Sequence, residues 1–292
     1  MKQNLHSARE ISFAYSAKTS GGRALIKFLE NLTGRVSLIK RAQGYEHDLL
    51  SGKNFWEIML QRYGLSLEIL DGAFRSIPKD GPLIFIANHP FGILDGLILG
   101  YIMSKSRSDF RILAHRVFQK SEQLNNVILP ISFDDTKEAS KLNIKTRTSA
   151  LDFLNSGGAV GIFPGGTVST ALSPFSEPKD PSWRNFTAKM IIKSEAKVIP
   201  IFFEGYNSRV FQLASHIHYN LRMGLLIREF KSKVGNPVKI SIGKPVCETE
   251  IKTRADNPRI LMDFLREQTY RLSQNPLKNY DYGFEFENRY KL

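Results

Sequence analysis

Leu83 to Gly96 reads LIFIANHPFGILDG, and the predicted fold is organised around this stretch. Its first part, Leu83 to Asn88, is mostly apolar and long enough for a buried strand, which the Pro and Gly of HPFG then end. A second apolar run, Leu94 to Met103, has the length of a helix. The pattern therefore predicts a strand, a tight loop and a helix, with His89 at the end of the strand and Asp95 in the first turn of the helix.

His89 and Asp95 have the chemistry of a proton-transfer pair. A histidine exchanges protons near neutral pH, and a carboxylate within reach fixes its tautomer and stabilises the imidazolium. The motif contains no Ser or Cys, and the chain contains no Gly-x-Ser-x-Gly. His89 is therefore predicted to act as a general base on a hydroxyl that the substrate brings. The structural alternative is that His89 ends a loop and Asp95 only begins a helix.

The chain is basic, with a formal net charge of +13 over 292 residues, of which 42% are hydrophobic. The apolar content supports a packed core, and the charge favours anionic partners: a membrane surface, a phosphorylated cofactor, an acidic carrier protein or nucleic acid. Nucleic acid is not expected, because the basic residues do not gather into a run with interleaved aromatic residues. The single cysteine, Cys247, excludes an intramolecular disulfide and a cysteine metal cluster, and no metal site is predicted.

Two features predict where the protein works. No apolar run reaches the roughly 18 to 20 uncharged residues of a membrane-spanning helix, and the first residues, MKQNLHSARE, lack the apolar core of a signal peptide. We therefore expect a cytoplasmic protein, peripheral to the inner face of the cytoplasmic membrane.

The chain divides by pattern into an N-terminal helical segment, residues 1–64, and an α/β domain, residues 65–292, which together form one folding unit. In the helical segment, apolar residues recur at helical spacing among basic residues; they are Ala24, Leu25, Phe28, Leu29 and Leu32. This apolar face either packs on the core or lies, as part of a basic amphipathic helix, on anionic lipid.

Beyond the opening motif, apolar strands alternate with helices, which predicts a mixed, largely parallel sheet flanked by helices. Three loops follow apolar strands: Asn88 to Gly92, Pro164 to Ser169, and Glu204 to Ser208. Because ligands bind at the carboxyl ends of strands in open α/β sheets, the three loops are predicted to share one site. The backbone N–H groups of Gly165, Gly166 and Thr167 are suited to hold a phosphate or a developing oxyanion.

Three motifs occur in order along the chain: NHPFGILDG at 88–96, FPGGTVS at 163–169 and VIPIFFEGYNS at 198–208. This set resembles the glycerolipid and lysophospholipid acyltransferase superfamily, and the hemolysin-like branch in particular. The resemblance implies a fold like that of glycerol-3-phosphate acyltransferase. It also implies transfer of a fatty acyl group from a thioester, acyl-CoA or acyl carrier protein, to the hydroxyl of a lysolipid-type acceptor, with no bound cofactor beyond that co-substrate.

The resemblance also implies roles for individual residues. His89 would be the general base and Asp95 its orienting partner, and Pro200 with Gly205 would belong to a loop that closes the acyl-donor side. The residues of the three loops expected to bind substrate are Asn88, Phe91, Gly92, Gly165, Gly166, Thr167, Ser169, Glu204, Gly205 and Asn207.

Two positions depart from the usual family loop, Phe-Pro-Glu-Gly-Thr-Arg-Ser. Gly165 stands where the family has glutamate, and Val168 stands where it has the arginine expected to bind the phosphate of the acceptor. Either Arg184 or Arg209 supplies that cation from another loop, or the acceptor has no phosphate. Two other functions stay open at this point: hydrolysis of the thioester by water, and a non-catalytic basic protein that binds membranes or nucleic acid.

Overall fold

The computed structural model describes residues 12–120, 122–132 and 136–286. The strands are β1 (Ser66–Asp71), β2 (Leu83–Ala87), β3 (Phe110–His115), β4 (Ile128–Ile131), β5 (Ala159–Ile162), β6 (Thr170–Ala171), β7 (Pro178–Lys179), β8 (Lys197–Phe203) and β9 (Pro237–Ile242). The helices are α1 (Ser20–Thr33), α2 (Arg35–Ala42), α3 (Tyr45–Leu50), α4 (Phe55–Tyr63), α5 (Ile93–Ser106), α6 (Glu122–Asn125), α7 (Lys137–Asn155), α8 (Asn185–Ser194), α9 (Arg209–Ile217), α10 (Tyr219–Lys233), α11 (Glu248–Lys252) and α12 (Pro258–Tyr270).

Seven strands form the main sheet, in the order β1-β9-β8-β2-β5-β3-β4, while β6 and β7 pair separately. The five strands from β8 to β4 run parallel. β9 runs antiparallel to β8, and β1 pairs in parallel with β9. The predicted mixed, largely parallel sheet flanked by helices is confirmed.

β2 lies near the middle of this sheet, and all five of its residues are buried. Successive side chains of a strand point to opposite faces, so both faces of β2 must be covered. Leu83, Phe85 and Ala87 pack in the same cluster as residues of α4, α5 and α10. Ile84 and Ile86 pack with α7, α8 and α12 on the other face. The continuous apolar run LIFIA thus places the end of β2, and the motif after it, in the interior of the molecule.

The described part of the N-terminal segment packs into the same core as the sheet, through buried residues such as Ile26 and Trp56. Three residues of the predicted apolar face, Leu25, Phe28 and Leu32, form an apolar stripe of α1 that does not face this core. They are 38%, 63% and 70% exposed, so of the two alternatives for this face, packing on the core is wrong for these three residues.

Close packing of α1 against α10 explains this orientation. A Cβ atom at Gly224 of α10 would lie 2.8 Å from the Leu29 side chain, so the two helices meet where α10 has no side chain. Glu30 also faces inward, where its carboxylate accepts hydrogen bonds from the Ser12 hydroxyl and the Phe13 N–H, each at 2.6 Å. With Leu29 and Glu30 turned inward, the stripe on the other side of the helix is left facing solvent.

Three further details differ from the expectations or add to them. Pro200 lies within β8 and not in a loop, and its carbonyl accepts the N–H of Gly243 at 2.8 Å. The sequence pattern did not predict α9 and α10. The last described residues, 271–286, contain no helix or strand and run back to the separate β6–β7 pair, since Phe284 N–H donates to Thr170 O at 3.0 Å.

Candidate active site

The loop after β2 brings the His89 and Asp95 side chains into contact. Asp95 lies in the first turn of α5, and one of its oxygens, Oδ2, is 2.9 Å from His89 Nδ1. The same oxygen accepts the N–H groups of Phe91 at 2.8 Å and Gly92 at 2.9 Å. Gly92 has a φ of +89°, a conformation that favours glycine, and this tight turn allows the chain to fold back onto the carboxylate.

Asp95 is completely buried, and this burial raises the pKa of its carboxyl group, although the hydrogen bonds from His89, Phe91 and Gly92 oppose the shift. Its second oxygen, Oδ1, has no hydrogen-bond partner among the described residues. An ionised carboxylate accepts hydrogen bonds and cannot donate one, so the imidazole nitrogen that faces it carries the hydrogen. Asp95 therefore favours the tautomer with hydrogen on Nδ1, which leaves the lone pair of His89 on Nε2.

Three contacts hold the rest of His89. Its ring stacks on Phe163, with 4.3 Å between the ring centroids. Its N–H donates to Asp180 Oδ1 at 3.1 Å, and its carbonyl accepts the Ser169 N–H at 2.8 Å. Nε2 has no hydrogen-bond partner among the residues that the structure describes. No hydroxyl or thiol in this part of the chain therefore stands as a nucleophile on His89.

His89 lines a cavity of about 1330 Å³ that extends beneath the N-terminal helices. Much of its wall is apolar and aromatic, and includes Trp56, Met59, Leu97, Phe118, Ile128 and Phe230. Gly96 also lines it, and a Cβ atom there would meet nothing within 4 Å. The arrangement joins a proton acceptor to a space that suits a long apolar chain.

The three predicted loops meet at one edge of the sheet, because β8, β2 and β5 are parallel neighbours. Of the residues predicted to form the site, His89, Gly92, Gly166 and Thr167 line the cavity, and Asp95 lies behind His89. The N–H of Gly166 is already bonded to Phe163 O at 3.0 Å. That of Thr167 has no partner in the described ranges, which leaves it available to an oxyanion.

Several other predicted residues hold the loops together and do not line the cavity. Asn88 bonds both the N–H and the carbonyl of Phe203, at 2.7 and 3.0 Å, and so ties the end of β2 to the end of β8. Gly205 packs near Phe91, where a Cβ atom would be 3.5 Å from the ring. Ser169 donates its hydroxyl to Asp180.

Glu204 and Asn207 of the third loop do not line the cavity either. Glu204 accepts the Gln274 N–H at 2.6 Å, on the side of the C-terminal segment. Asn207 is fully buried, and its side-chain amide has no hydrogen-bond partner among the described residues.

Neither arginine predicted to replace the loop cation reaches the cavity. Arg184 pairs with Glu285 at 2.6 Å, and Arg209 donates to Ser176 O at 2.8 Å on the surface. The cation beside the loop is Arg222 of α10, which lines the cavity and lies 2.7 Å from Val168 O. The sequence carried no signal for Arg222, because it comes from a helix that the pattern did not predict.

Asp180 is a second residue of the site that no sequence motif marks. Its Oδ1 accepts the N–H of His89 and the hydroxyl of Ser169, and its Oδ2 accepts the Trp183 Nε1–H at 2.9 Å. A Cβ atom at Gly165 would lie 3.3 Å from this carboxyl group, so the glycine leaves room for it. Asp180 therefore joins the loops after β2 and β5, next to the position where the usual family loop has glutamate.

Within the described ranges, no three His, Cys, Asp or Glu side chains are grouped as a metal site would require. The helices described here do not include one that is long and apolar enough to cross a bilayer.

Comparison with known proteins identifies relatives. Over 236 residues the chain is 26% identical to a lyso-glycine lipid O-acyltransferase of Phocaeicola vulgatus, covering 76% of this chain and 78% of that protein. It is 22% identical over 235 residues to a protein of the same name from Bacteroides thetaiotaomicron, covering 76% and 80%. The crystal structure of the 1-acyl-sn-glycerophosphate acyltransferase PlsC from Thermotoga maritima aligns with a TM-score of 0.41 at 16% identity, covering 94% of this chain and 98% of that one. The model of a family described as acyltransferase matches residues 47–279, and the chain therefore belongs to this acyltransferase family.

Proposed function

We propose that this acyltransferase moves a fatty acyl group from a thioester, acyl-CoA or acyl carrier protein, to the hydroxyl of a lysolipid-type acceptor, with His89 as the general base. One observation carries the proposal: His89 is bonded to Asp95 through Nδ1, has no partner for Nε2 among the described residues, and lines a largely apolar cavity. A base without its own nucleophile fits a reaction in which the second substrate supplies the attacking hydroxyl.

The proposed step is a single displacement. His89 Nε2 takes the proton of the acceptor hydroxyl while its oxygen attacks the thioester carbonyl carbon, and Asp95 stabilises the imidazolium. The C–S bond of the tetrahedral intermediate then breaks, and the departing thiolate takes the proton from His89. The products are an ester and a free thiol, and His89 returns to its neutral form.

The N–H of Thr167 is the candidate donor to the oxyanion. It belongs to a residue that lines the same cavity as His89, and no described residue accepts its hydrogen bond. One such donor contributes about 10²- to 10³-fold to the rate, and a general base contributes about 10²- to 10⁴-fold. Together they contribute about 10⁴- to 10⁷-fold, which reaches only the lower end of the roughly 10⁶- to 10¹⁷-fold range of enzymes, so positioning of the two substrates must supply the rest.

The apolar part of the cavity is proposed to hold an acyl chain. Its wall consists of aliphatic and aromatic side chains such as Trp56, Met59 and Phe230. Burying each methylene of a chain there stabilises the complex by about 0.8 kcal/mol. The basic balance of the protein, +13, supports an anionic thioester carrier as the donor.

The names of the two bacterial relatives support an acceptor that carries an amino acid, such as a lyso-glycine lipid. Val168 is consistent with this acceptor, because it replaces the arginine expected to bind phosphate in the usual family loop. An acceptor without phosphate does not need that arginine.

The exposed apolar stripe of α1 is proposed to rest on an anionic membrane surface, where lysolipids reside. Leu25, Phe28 and Leu32 are exposed, and so are the basic residues Arg23 and Lys27 of the same helix. Exposed apolar side chains also lie on α9, which like α1 packs against α10; they are Val210, Leu213 and Ile217. An exposed apolar stripe with basic neighbours on an amphipathic helix is typical of a peripheral membrane contact.

Vesicle binding tests this contact. The triple variant Leu25→Ser, Phe28→Ser, Leu32→Ser should lose sedimentation with vesicles that contain anionic lipid. The matched control, Ile144→Ser with Ile260→Ser, removes exposed apolar side chains from α7 and α12 on the other side of the sheet and should sediment like the wild type. Equal binding by all three proteins would contradict the proposed membrane surface.

The reaction is tested with purified protein, a radiolabelled acyl thioester and a lysolipid with an amino-acid headgroup. Parallel reactions use acyl-CoA and acyl carrier protein as donors. The proposal predicts labelled diacylated lipid and one equivalent of free thiol. Free fatty acid without acylated lipid would instead make the protein a thioesterase.

A further inference from the structure

Arg222 is a buried cation in the wall of the cavity. It is 2% exposed, and its guanidinium lies among oxygen atoms of α9, β6 and the loop after β5. Nη1 donates to the hydroxyls of Thr170 at 2.6 Å and Ser215 at 2.9 Å. Nη2 donates to Val168 O at 2.7 Å and to the Thr167 hydroxyl at 3.3 Å.

These hydrogen bonds satisfy the Nη donors of Arg222, but they do not neutralise its positive charge. All four acceptors are neutral, and no carboxylate of the described residues pairs with Arg222. Two aromatic rings lie against the guanidinium, Phe286 at 4.3 Å and Phe211 at 4.9 Å from their centroids. Among the described residues of the cavity wall the one acid is Glu285, and it is paired with Arg184.

A buried cation without a counter-ion is costly, since burial disfavours the charged form. This burial lowers the pKa of Arg222 to about 9, and the group still carries its charge at neutral pH. An anion that enters the cavity would relieve the cost. The Nε–H group of Arg222 has no protein partner in the described ranges and is free to donate to such an anion.

Arg222 is connected to His89 through the loop after β5. Val168 O bonds Arg222, and the next residue, Ser169, donates its N–H to His89 O at 2.8 Å. One short segment of the loop thus separates the cation from the proposed base. An acceptor whose anionic headgroup binds Arg222 would have its remaining length, including a hydroxyl on the lipid chain, in the space beside His89.

We propose that Arg222, together with the Thr167 hydroxyl, binds the carboxylate of the acceptor's headgroup and sets the headgroup specificity of the enzyme. A carboxylate fits better than a phosphate monoester, because the single buried guanidinium matches one negative charge, whereas a phosphate carries about −1.5 to −2. The other described cations of the wall, Lys18 and Arg35, are more exposed. This inference rests on the proposed acyl transfer and names its acceptor class.

The test compares three acceptors of equal chain length: a lysolipid with a glycine carboxylate, its methyl ester, and a lysophosphatidic acid. Transfer is measured with the wild type, Arg222→Gln, Arg222→Lys and a control, Arg271→Gln, which removes one arginine charge from an exposed ion pair with Glu267. The wild type should prefer the carboxylate to its ester. Arg222→Gln should lower kcat/KM for the carboxylate by about 10- to 100-fold and leave the ester nearly unchanged. Arg222→Lys should recover part of the preference, and Arg271→Gln should retain it.

Each other outcome overturns the inference. If Arg222→Gln lowers transfer to the acid and the ester equally, Arg222 only supports the loop, and thermal unfolding of the variant would show the lost stability. If the wild type prefers the phosphate, and Arg222 is required for that preference, the subsite takes phosphate and not carboxylate. If the wild type acylates none of the three, acyl transfer itself fails, and this result is distinct from the loss of selectivity.

Discussion

Replacing Asp95 by asparagine should separate catalysis from stability. The substitution keeps the shape of the side chain and removes its charge. The amide oxygen can take the place of Oδ2, which accepts hydrogen bonds from His89, Phe91 and Gly92. The amide nitrogen then occupies the position of Oδ1, which has no partner in the described structure. Geometry is largely conserved, and the imidazolium loses its anion.

The size of the effect follows from the charge separation. Two unit charges about 4 Å apart interact by about 4 kcal/mol at an effective dielectric constant near 20. His89 is 19% exposed at its side chain, so water screens part of this energy. A loss of about 2 to 4 kcal/mol in transition-state stabilisation corresponds to roughly 30- to 900-fold in kcat. Binding of the acyl donor should change little.

The thermal stability of Asp95→Asn should not fall with its rate. Burial raises the pKa of Asp95 in the folded state, so the folded protein binds this proton more tightly than the unfolded chain does. Stability from this group is then present at low pH and is lost as pH rises through the raised pKa. At neutral pH the charged form is unfavourable, and Asp95→Asn should unfold at the same or a higher temperature.

The assay combines single-turnover acyl transfer with thermal unfolding, both at pH 7. The account predicts a much slower transfer by a protein of undiminished Tm. In the wild type, the rate should fall as pH drops through the raised pKa of Asp95. An unchanged rate would reduce Asp95 to a residue that begins α5, and a rate lost together with a lower Tm would make its role structural.

Three other perturbations follow from the same geometry. Gly96→Leu should fill open space in the cavity wall. If the acyl chain then buries about two fewer methylenes, kcat/KM for long-chain donors should fall by roughly 15-fold, while kcat/KM for short-chain donors should not change. An unchanged chain-length profile would exclude this part of the cavity as the acyl site. Asp180→Asn places an amide N–H₂ donor against another donor, either the Trp183 N–H or the N–H of His89 and the hydroxyl of Ser169. The variant should lose about 1 to 3 kcal/mol of unfolding free energy, measured by denaturation, and should also lose activity, measured by kinetics. The fully retained stability of this variant would contradict its role in joining the loops. Sodium chloride at 0.5 M should weaken vesicle binding, because screening reduces the attraction between the basic α1 and anionic lipid; salt-independent binding would indicate apolar contact alone.

Much of the sheet could be predicted from the sequence, because buried parallel strands are continuous apolar runs. The runs LIFIA of β2 and VIPIFF of β8 were sufficient to predict these two strands, and the turn residues that follow them predicted the loops. The meeting of His89 and Asp95 was also predictable, since only six positions separate them, across one tight loop and the first turn of α5.

The orientation of α1 was not predictable from its periodicity. The apolar stripe of Leu25, Phe28 and Leu32 is real, yet α1 turns it outward because α10 offers a glycine, Gly224, to Leu29. Periodicity identifies an amphipathic helix, and only the packing partner decides which face is buried.

The residues that contact the loop after β5 were also not predictable from the sequence. The carboxylate beside Gly165 and the cation beside Val168 come from distant parts of the chain. Asp180 bonds His89 across 91 positions, and Arg222 bonds Val168 across 54. No local pattern marks such residues, because their role depends on tertiary contacts that only the folded chain brings together.

The central claim is that His89 activates a hydroxyl supplied by the acceptor. The most direct test is a mass-spectrometric measurement of ester formed from an acyl thioester and an amino-acid lysolipid by the wild type and by His89→Ala. The account predicts that the wild type forms the acylated lipid with release of free thiol, and that His89→Ala retains its fold but forms the product at least about 100-fold more slowly. Wild-type ester formation by a folded His89→Ala protein would contradict the mechanism.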